Sequence, residues 1–172
     1  MLNKFHYLKD NFPILFRDIV LQHKAVNKVL TFCDDENQYL LFTGKFSEVN
    51  SGKGITDELE SYLVNFLVKK YNVKAFARAA AYVLEDQTKF IGFDFVSIDN
   101  TLWSQQNVFL ADSEGKVIDV DEQFTNSSDK NCICPLVSSY FEEIDFPKDT
   151  KEFVTNLYEQ VKPSFEIIKL KK

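Results

Sequence analysis

Hydrophobic spacing divides the chain into segments of two periods. Phe12, Leu15, Phe16, Ile19 and Val20 recur at intervals of three and four, which predicts an amphipathic helix reaching about His23 and extendable to Leu30. Asp10 and Asn11 ahead of Phe12-Pro13 supply an N-cap and a first-turn proline, so the helix is expected to start there. Asp34-Asp35-Glu36-Asn37 ends it. Gln38 to Thr43 (QYLLFT) reads as a short strand closed by Gly44, and Ser47 to Gly54 as a loop.

Thr56, followed by Asp57, Glu58 and Glu60, forms a helix start, because a hydroxyl caps free amides and carboxylates favour the positive end of the dipole. Leu59, Tyr62, Leu63, Phe66 and Leu67 then share one face, and Lys69 and Lys70 close it. Past Asn72, the alanine-rich run Val73 to Leu84 predicts a second helix that turns Val73, Phe76, Ala77, Ala80 and Val83 to a core. That many alanines let another element approach closely.

From residue 89 the period falls to two. Ile91, Phe93 and Phe95 alternate with Gly92 and Asp94, predicting a strand over 89–98. Asn107–Ala111, the turn Asp112 to Gly115 and Lys116–Val120 make a hairpin, with Gly115 free to adopt a positive φ. Residues 121–135 read as a polar loop that holds Cys132 and Cys134 ahead of Pro135, and Leu136–Glu143 as a helical turn. Asp149-Thr150 caps a last helix with Phe153, Val154, Leu157, Tyr158 and Val161 facing inward, and Phe165–Leu170 is a terminal strand. The expected fold class is α+β: one domain over 1–172, a largely antiparallel sheet with a central meander at about 89–121, packed against three to five helices.

Composition adds limits. Hydrophobic residues are 45% and charged residues 27% of the 172, enough for a packed core and too apolar for global disorder. No stretch reaches the roughly 18 apolar residues of a membrane span. The start MLNKFHYLKDNF lacks a signal-peptide layout, so a cytoplasmic location is expected. Net charge is −6, and residues 91–149 alone hold 12 acidic against 3 basic side chains. Such a segment repels phosphates, which argues against nucleic acid and for a basic protein partner.

Candidate chemistry is sparse. The three cysteines, Cys33, Cys132 and Cys134, are expected as reduced thiols. A zinc site completed by His6 or His23 is the sharper alternative, although paired C-x-x-C spacing is absent. Ser97-Ile98-Asp99-Asn100-Thr101-Leu102 resembles the D-x-D-N-T-L motif of haloacid dehalogenase-type phosphohydrolases, matching at Asp99 and Thr101, with Ser97 where that family has its attacking aspartate. Asp94 or Asp99 with Glu114-Gly115-Lys116 resembles the D…E-x-K arrangement of magnesium-dependent nucleases, whose hard cations need oxygen ligands. Asp119 and Asp121, two apart, fall on one face of an extended strand, and with Asp112, Glu114 and Glu122 they offer a possible cation site or a solvated face. Gly52-Lys53-Gly54 is too short for a phosphate loop, and Asn126-Ser-Ser is a glycosylation sequon by letters only.

Without a nucleophile elbow, metal box or phosphate loop, the expectation is a binding protein that needs no cofactor and no metal. The Ile91–Phe124 meander, with its carboxylates and Trp103, resembles the recognition face of small acidic bacterial immunity proteins, including those of contact-dependent growth inhibition systems. That resemblance covers about a fifth of the chain. It implies an inhibitor that occludes a basic toxin such as a nuclease, through Asp94, Asp99, Trp103, Asp112, Glu114, Asp119, Asp121 and Glu122, or by strand addition at a sheet edge. The alternatives are a metal-dependent hydrolase using Asp94, Asp99 and Asp119, and a scaffold domain. Oligomeric state is left open.

Overall fold

The computed structural model describes residues 2–43 and 57–171. Gly44, the loop to Gly54 and the Thr56 cap therefore lie outside the described residues. Helix α1 (Lys4–His23) begins earlier than the Asp10-Asn11 expectation. Its cap is Asn3, whose side chain accepts from the His6 amide at 3.0 Å, and Pro13 sits inside the helix. The buried stripe decides this: Phe5, Leu8, Phe12, Phe16 and Val20 form one continuous face, so packing outweighs the amide that Pro13 lacks.

The helix does not reach Leu30. Lys24 takes a left-handed conformation (φ 54), and Val29–Cys33 is strand β1, paired with β2 (Asn37–Phe42). The acidic cluster turns that hairpin instead of stopping a helix. Asp34 Oδ1 accepts from the amides of Glu36 (2.8 Å) and Asn37 (2.7 Å), while the Tyr39 hydroxyl donates to Oδ2 (2.8 Å).

Helix α2 (Asp57–Tyr71) is followed by the main correction to the sequence reading: Ala75–Val83 is strand β3, not a helix. Ala75, Ala77 and Ala79 face α1, whereas Phe76 and Arg78 face the opposite way, so the segment has period two. Helix propensity lost to position, because β3 lies in mid-sheet between β1 and β4 (Lys89–Ser97), where its small side chains let α1 settle on the sheet. Of the five side chains expected to face a core, Val83 is 57% exposed.

The meander continues through β5 (Leu102–Ala111) and β6 (Val117–Val120). Trp103 thus lies in a strand, and the loop after β6 holds a short strand, β7 (Asn126–Ser128), paired with β5. A 3-10 turn at Pro135–Ser139, helix α3 (Lys148–Val161) and strand β8 (Glu166–Lys169) complete the chain. Helix α3 starts at Pro147 without a side-chain cap, and its Phe153 is 44% exposed instead of inward.

All strands pair antiparallel, in the order β6-β5-β4-β3-β1-β2-β8, curled as a half-barrel. One α+β domain results, with three α-helices among the described residues on two faces of the sheet. Helix α1 covers one face, packing Phe12 and Phe16 edge-on against Phe93. Helices α2 and α3 and the 3-10 turn cover the other, around Phe32, Phe76 and Tyr158.

Candidate protein-binding surface

Alternation along each strand assigns every charged side chain to a face or to an end of the sheet. Under α2, an ionic group with Arg78 and Glu60 buried and Asp57 exposed connects helix and sheet. Arg78 donates through Nε to Glu60 Oε1 (2.8 Å), through one terminal nitrogen to Asp57 Oδ1 (2.7 Å) and through the other to the Tyr82 hydroxyl (2.9 Å). Lys28 pairs with Glu60 Oε2 at 2.8 Å, and Tyr140 donates to Glu60 Oε1. Burial works against the Arg78 charge, but Glu60, Tyr140 and Tyr82 together raise its pKa and keep it protonated.

Asp94 belongs to this interior. It sits opposite Arg78 in the ladder and is 1% exposed, with Oδ1 accepting from the Ile133 amide (2.6 Å) and Oδ2 from Cys134 (2.8 Å). Burial raises its pKa, against the pull of those two amides and Arg78. Its work is to pin the loop at 131–135 to the sheet, so its assignment to a partner-binding face is corrected.

The other candidates are scattered. Asp99 lies in the β4–β5 turn, where it accepts from the hydroxyls of Ser97 and Thr101. Those bonds lower its pKa and hold a turn in which Asn100 has φ 61. Trp103 is half-buried on the α1 face: Lys9 Nζ sits 4.0 Å from its ring centroid, Phe124 meets it edge-on, and its Nε1 donates to Gln105 at 3.1 Å. Antiparallel connection puts the Asp99 turn at the opposite end of the sheet from the β5–β6 turn. Asp94, Asp99 and Asp119 are therefore an interior residue, a turn at one end and an edge strand, and they are not brought together. Cys33 and Cys134 belong to cores on opposite faces of the sheet, and burial pushes the Cys33 and Cys132 thiols up to about 12. Among the described residues no group of three or more His, Cys, Asp or Glu side chains is placed to hold a metal ion.

Five candidates do form a unit. Asp112, Glu114, Asp119, Asp121 and Glu122 are all exposed along β6 and its two ends. Asp112 Oδ1 accepts from the amides of Glu114 and Lys116 at 2.9 Å, shaping the tip around Gly115 (φ 82). Lys116 pairs with Glu114 at 2.8 Å, and Arg17 approaches Glu122 at 3.7 Å. Asp121 and Glu122 also border a cleft of about 350 Å3 against Ile14 and Arg17 of α1. Leu110 (58% exposed) and Ile118 (61%) lie within this acidic strip.

The β3–β4 tip stands at the same end of the sheet and adds Val83, Leu84, Glu85 and Asp86, all exposed. Sequence reading missed these four because it placed the first two at the end of a helix. The signal available was the polar run Glu85 to Thr88 between two apolar stretches, which is a hairpin turn once Val73–Leu84 is read with period two.

Comparisons with protein-family models, with curated proteins and with solved structures return no match. No helix among the described residues is long and apolar enough to cross a membrane.

Proposed function

We propose that this chain is a non-catalytic cytoplasmic binding protein, an immunity or inhibitor protein that occludes a basic toxin such as a nuclease. The observation that supports this reading is the β6 strip, where five exposed carboxylates run along one strand and both its ends with Leu110 and Ile118 exposed between them. An acidic rim around apolar anchors steers a cationic surface into place, and the desolvated centre then holds it. Spread along an edge, the carboxylates form a landing surface instead of converging on a reacting atom. Val83 and Leu84 on the neighbouring tip extend the apolar part.

The test couples binding to inhibition. The protein is used to capture partners from its source cell's lysate at low and moderate salt, and the captured basic protein is assayed for nuclease activity with and without this chain. Suppression of that activity, together with its loss in the triple variant Asp119→Lys, Asp121→Lys, Glu122→Lys, is the expected result. Failure to retain any basic protein at low salt, or suppression that the triple variant leaves intact, overturns the reading.

A further inference from the structure

The two edges of the sheet differ. At β6, Val117 donates its amide to the Lys24 carbonyl (3.0 Å) and the Val120 carbonyl accepts from Arg17 Nε (3.0 Å), so α1 occupies that edge. Strand addition there would have to displace both bonds. At β8 nothing comparable is present among the described residues. Leu170 donates to the Glu36 carbonyl at 2.8 Å and the register pairs Ile168 with Gln38, so alternate residues face β2. The N–H and C=O of Ile167 and Lys169 therefore point away from the sheet, and no described strand pairs with them. Ile167 is 61% exposed between them.

Charge then selects the occupant. Lys169 and Lys171 project on the same side as Ile167, and Glu166 is the carboxylate of the strand. Beyond the C-terminal end of β8 opens a cavity of about 810 Å3 whose walls include Lys4, Lys169, Leu170 and Lys171, with Asp35 and Glu36 opposite. Lys4 Nζ donates to the Asp35 carbonyl at 2.9 Å. A second copy of β8 is a poor guest: antiparallel self-pairing of Ile167 with Lys169 sets Glu166 against Leu170 and no carboxylate against a lysine, and edge lysines oppose such pairing.

We infer that the outer edge of β8 binds an extended segment of another protein that alternates carboxylate and apolar side chains. Its main chain takes the four outward groups of Ile167 and Lys169, its carboxylates lie over Lys169 and Lys171, and its apolar side chains lie beside Ile168. This surface is basic, on the far edge from the acidic strip, and the two are independent.

Fluorescence anisotropy with a short labelled peptide of alternating glutamate and valine tests it, with a lysine and valine peptide as control. Ile167→Pro is the decisive variant, because it deletes an outward amide while the bonds to β2 through Ile168 and Leu170 remain and Glu166 is already extended. The glutamate peptide is expected to bind saturably and more weakly as salt rises, with affinity reduced at least about tenfold in Ile167→Pro at unchanged thermal unfolding. Lys169→Glu with Lys171→Glu is expected to reverse the preference between peptides. Absence of saturable binding, binding indifferent to Ile167→Pro, or a concentration-dependent dimer that Ile167→Pro abolishes would each overturn the inference, the last by giving the edge to a second copy.

Discussion

The two faces of the sheet bury similar elements by different chemistry. Under α1 the buried side chains are uncharged: Phe12, Phe16, Phe93 and Phe95 pack with the alanines of β3, and the polar members, Thr31, Gln38, Gln105 and Asn107, are neutral and hydrogen-bonded, Gln38 to Thr31 and Gln105 to Asn107. Under α2 and α3 the apolar cluster surrounds an ionic group, Lys28, Asp57, Glu60 and Arg78, beside the buried carboxylate of Asp94. An apolar face tolerates small shifts because its energy is roughly proportional to area, whereas a buried ion pair is stable only at its own geometry. The α2 face is thus the one expected to specify how helix and sheet meet.

Truncation on each face should show this. Phe93→Ala removes the ring on which Phe12 and Phe16 close, and is expected to lower unfolding free energy by about 4 kcal/mol in urea denaturation. Arg78→Met leaves the buried Glu60 with Lys28 and the Tyr140 hydroxyl but without its guanidinium, and should cost about 3 kcal/mol. Combining it with Glu60→Leu should recover part of that loss, since an apolar pair replaces an orphaned charge. Equal or greater loss in the double variant would mean that the ionic group itself stabilises the α2 face.

Asp94→Asn is next, at about 2 kcal/mol, because an amide can accept from one of the Ile133 and Cys134 amides but presents a donor to the other. The same variant tests the sign of a pH effect. Burial raises the folded pKa of Asp94, so between the ordinary carboxylate value and that raised value the folded protein holds more protons than the unfolded one. Its contribution to stability is full at lower pH and declines as pH rises through that window, and Asp94→Asn should flatten the decline. Asp34 runs the other way. Burial opposes its charge, but the amides of Glu36 and Asn37 and the Tyr39 hydroxyl lower its pKa, so its contribution is lost as pH falls through the depressed folded value.

Gly92→Ala probes packing on the α2 face without touching charge. An added Cβ would lie 2.7 Å from Tyr82 Cε2 and 2.9 Å from Ile133 Cδ1, and a loss of about 1–2 kcal/mol is expected in thermal unfolding. Smallest of all is Glu114→Lys with Asp119→Lys on the exposed strip, where stability should change by about 0.5 kcal/mol or less while capture of a basic partner falls.

Elements built on their own periodicity were legible: α2, β2, β4, the β5–β6 hairpin and α3 all appear near their expected places. Val73–Leu84 was misread because alanine satisfies a helix and a close-packed strand equally, and only α1 resting on Ala75, Ala77 and Ala79 separates them. Strand β1 is not legible in the sequence, where a helix extendable to Leu30 overlaps its first two residues, since a fully buried five-residue strand carries no alternation of its own. For the candidate surface, the five carboxylates along β6 were readable as a cluster in sequence, whereas Asp94 looked like their equal. Its position on an inward-facing strand residue of a sheet covered on both sides was invisible without the helices.

By itself the sequence determined the α+β class, the acidic middle third, the meander and its polar tips, because periodicity and charge are local properties. Tertiary structure alone decided which strands are central, which carboxylates are buried, that Arg78 meets Glu60, and that α1 bonds to β6 whereas no described strand pairs with the outer side of β8. Each of these depends on contacts between residues distant in the chain, such as Arg17 with Val120 and Asp94 with Cys134, and no local pattern encodes which partner a side chain will find.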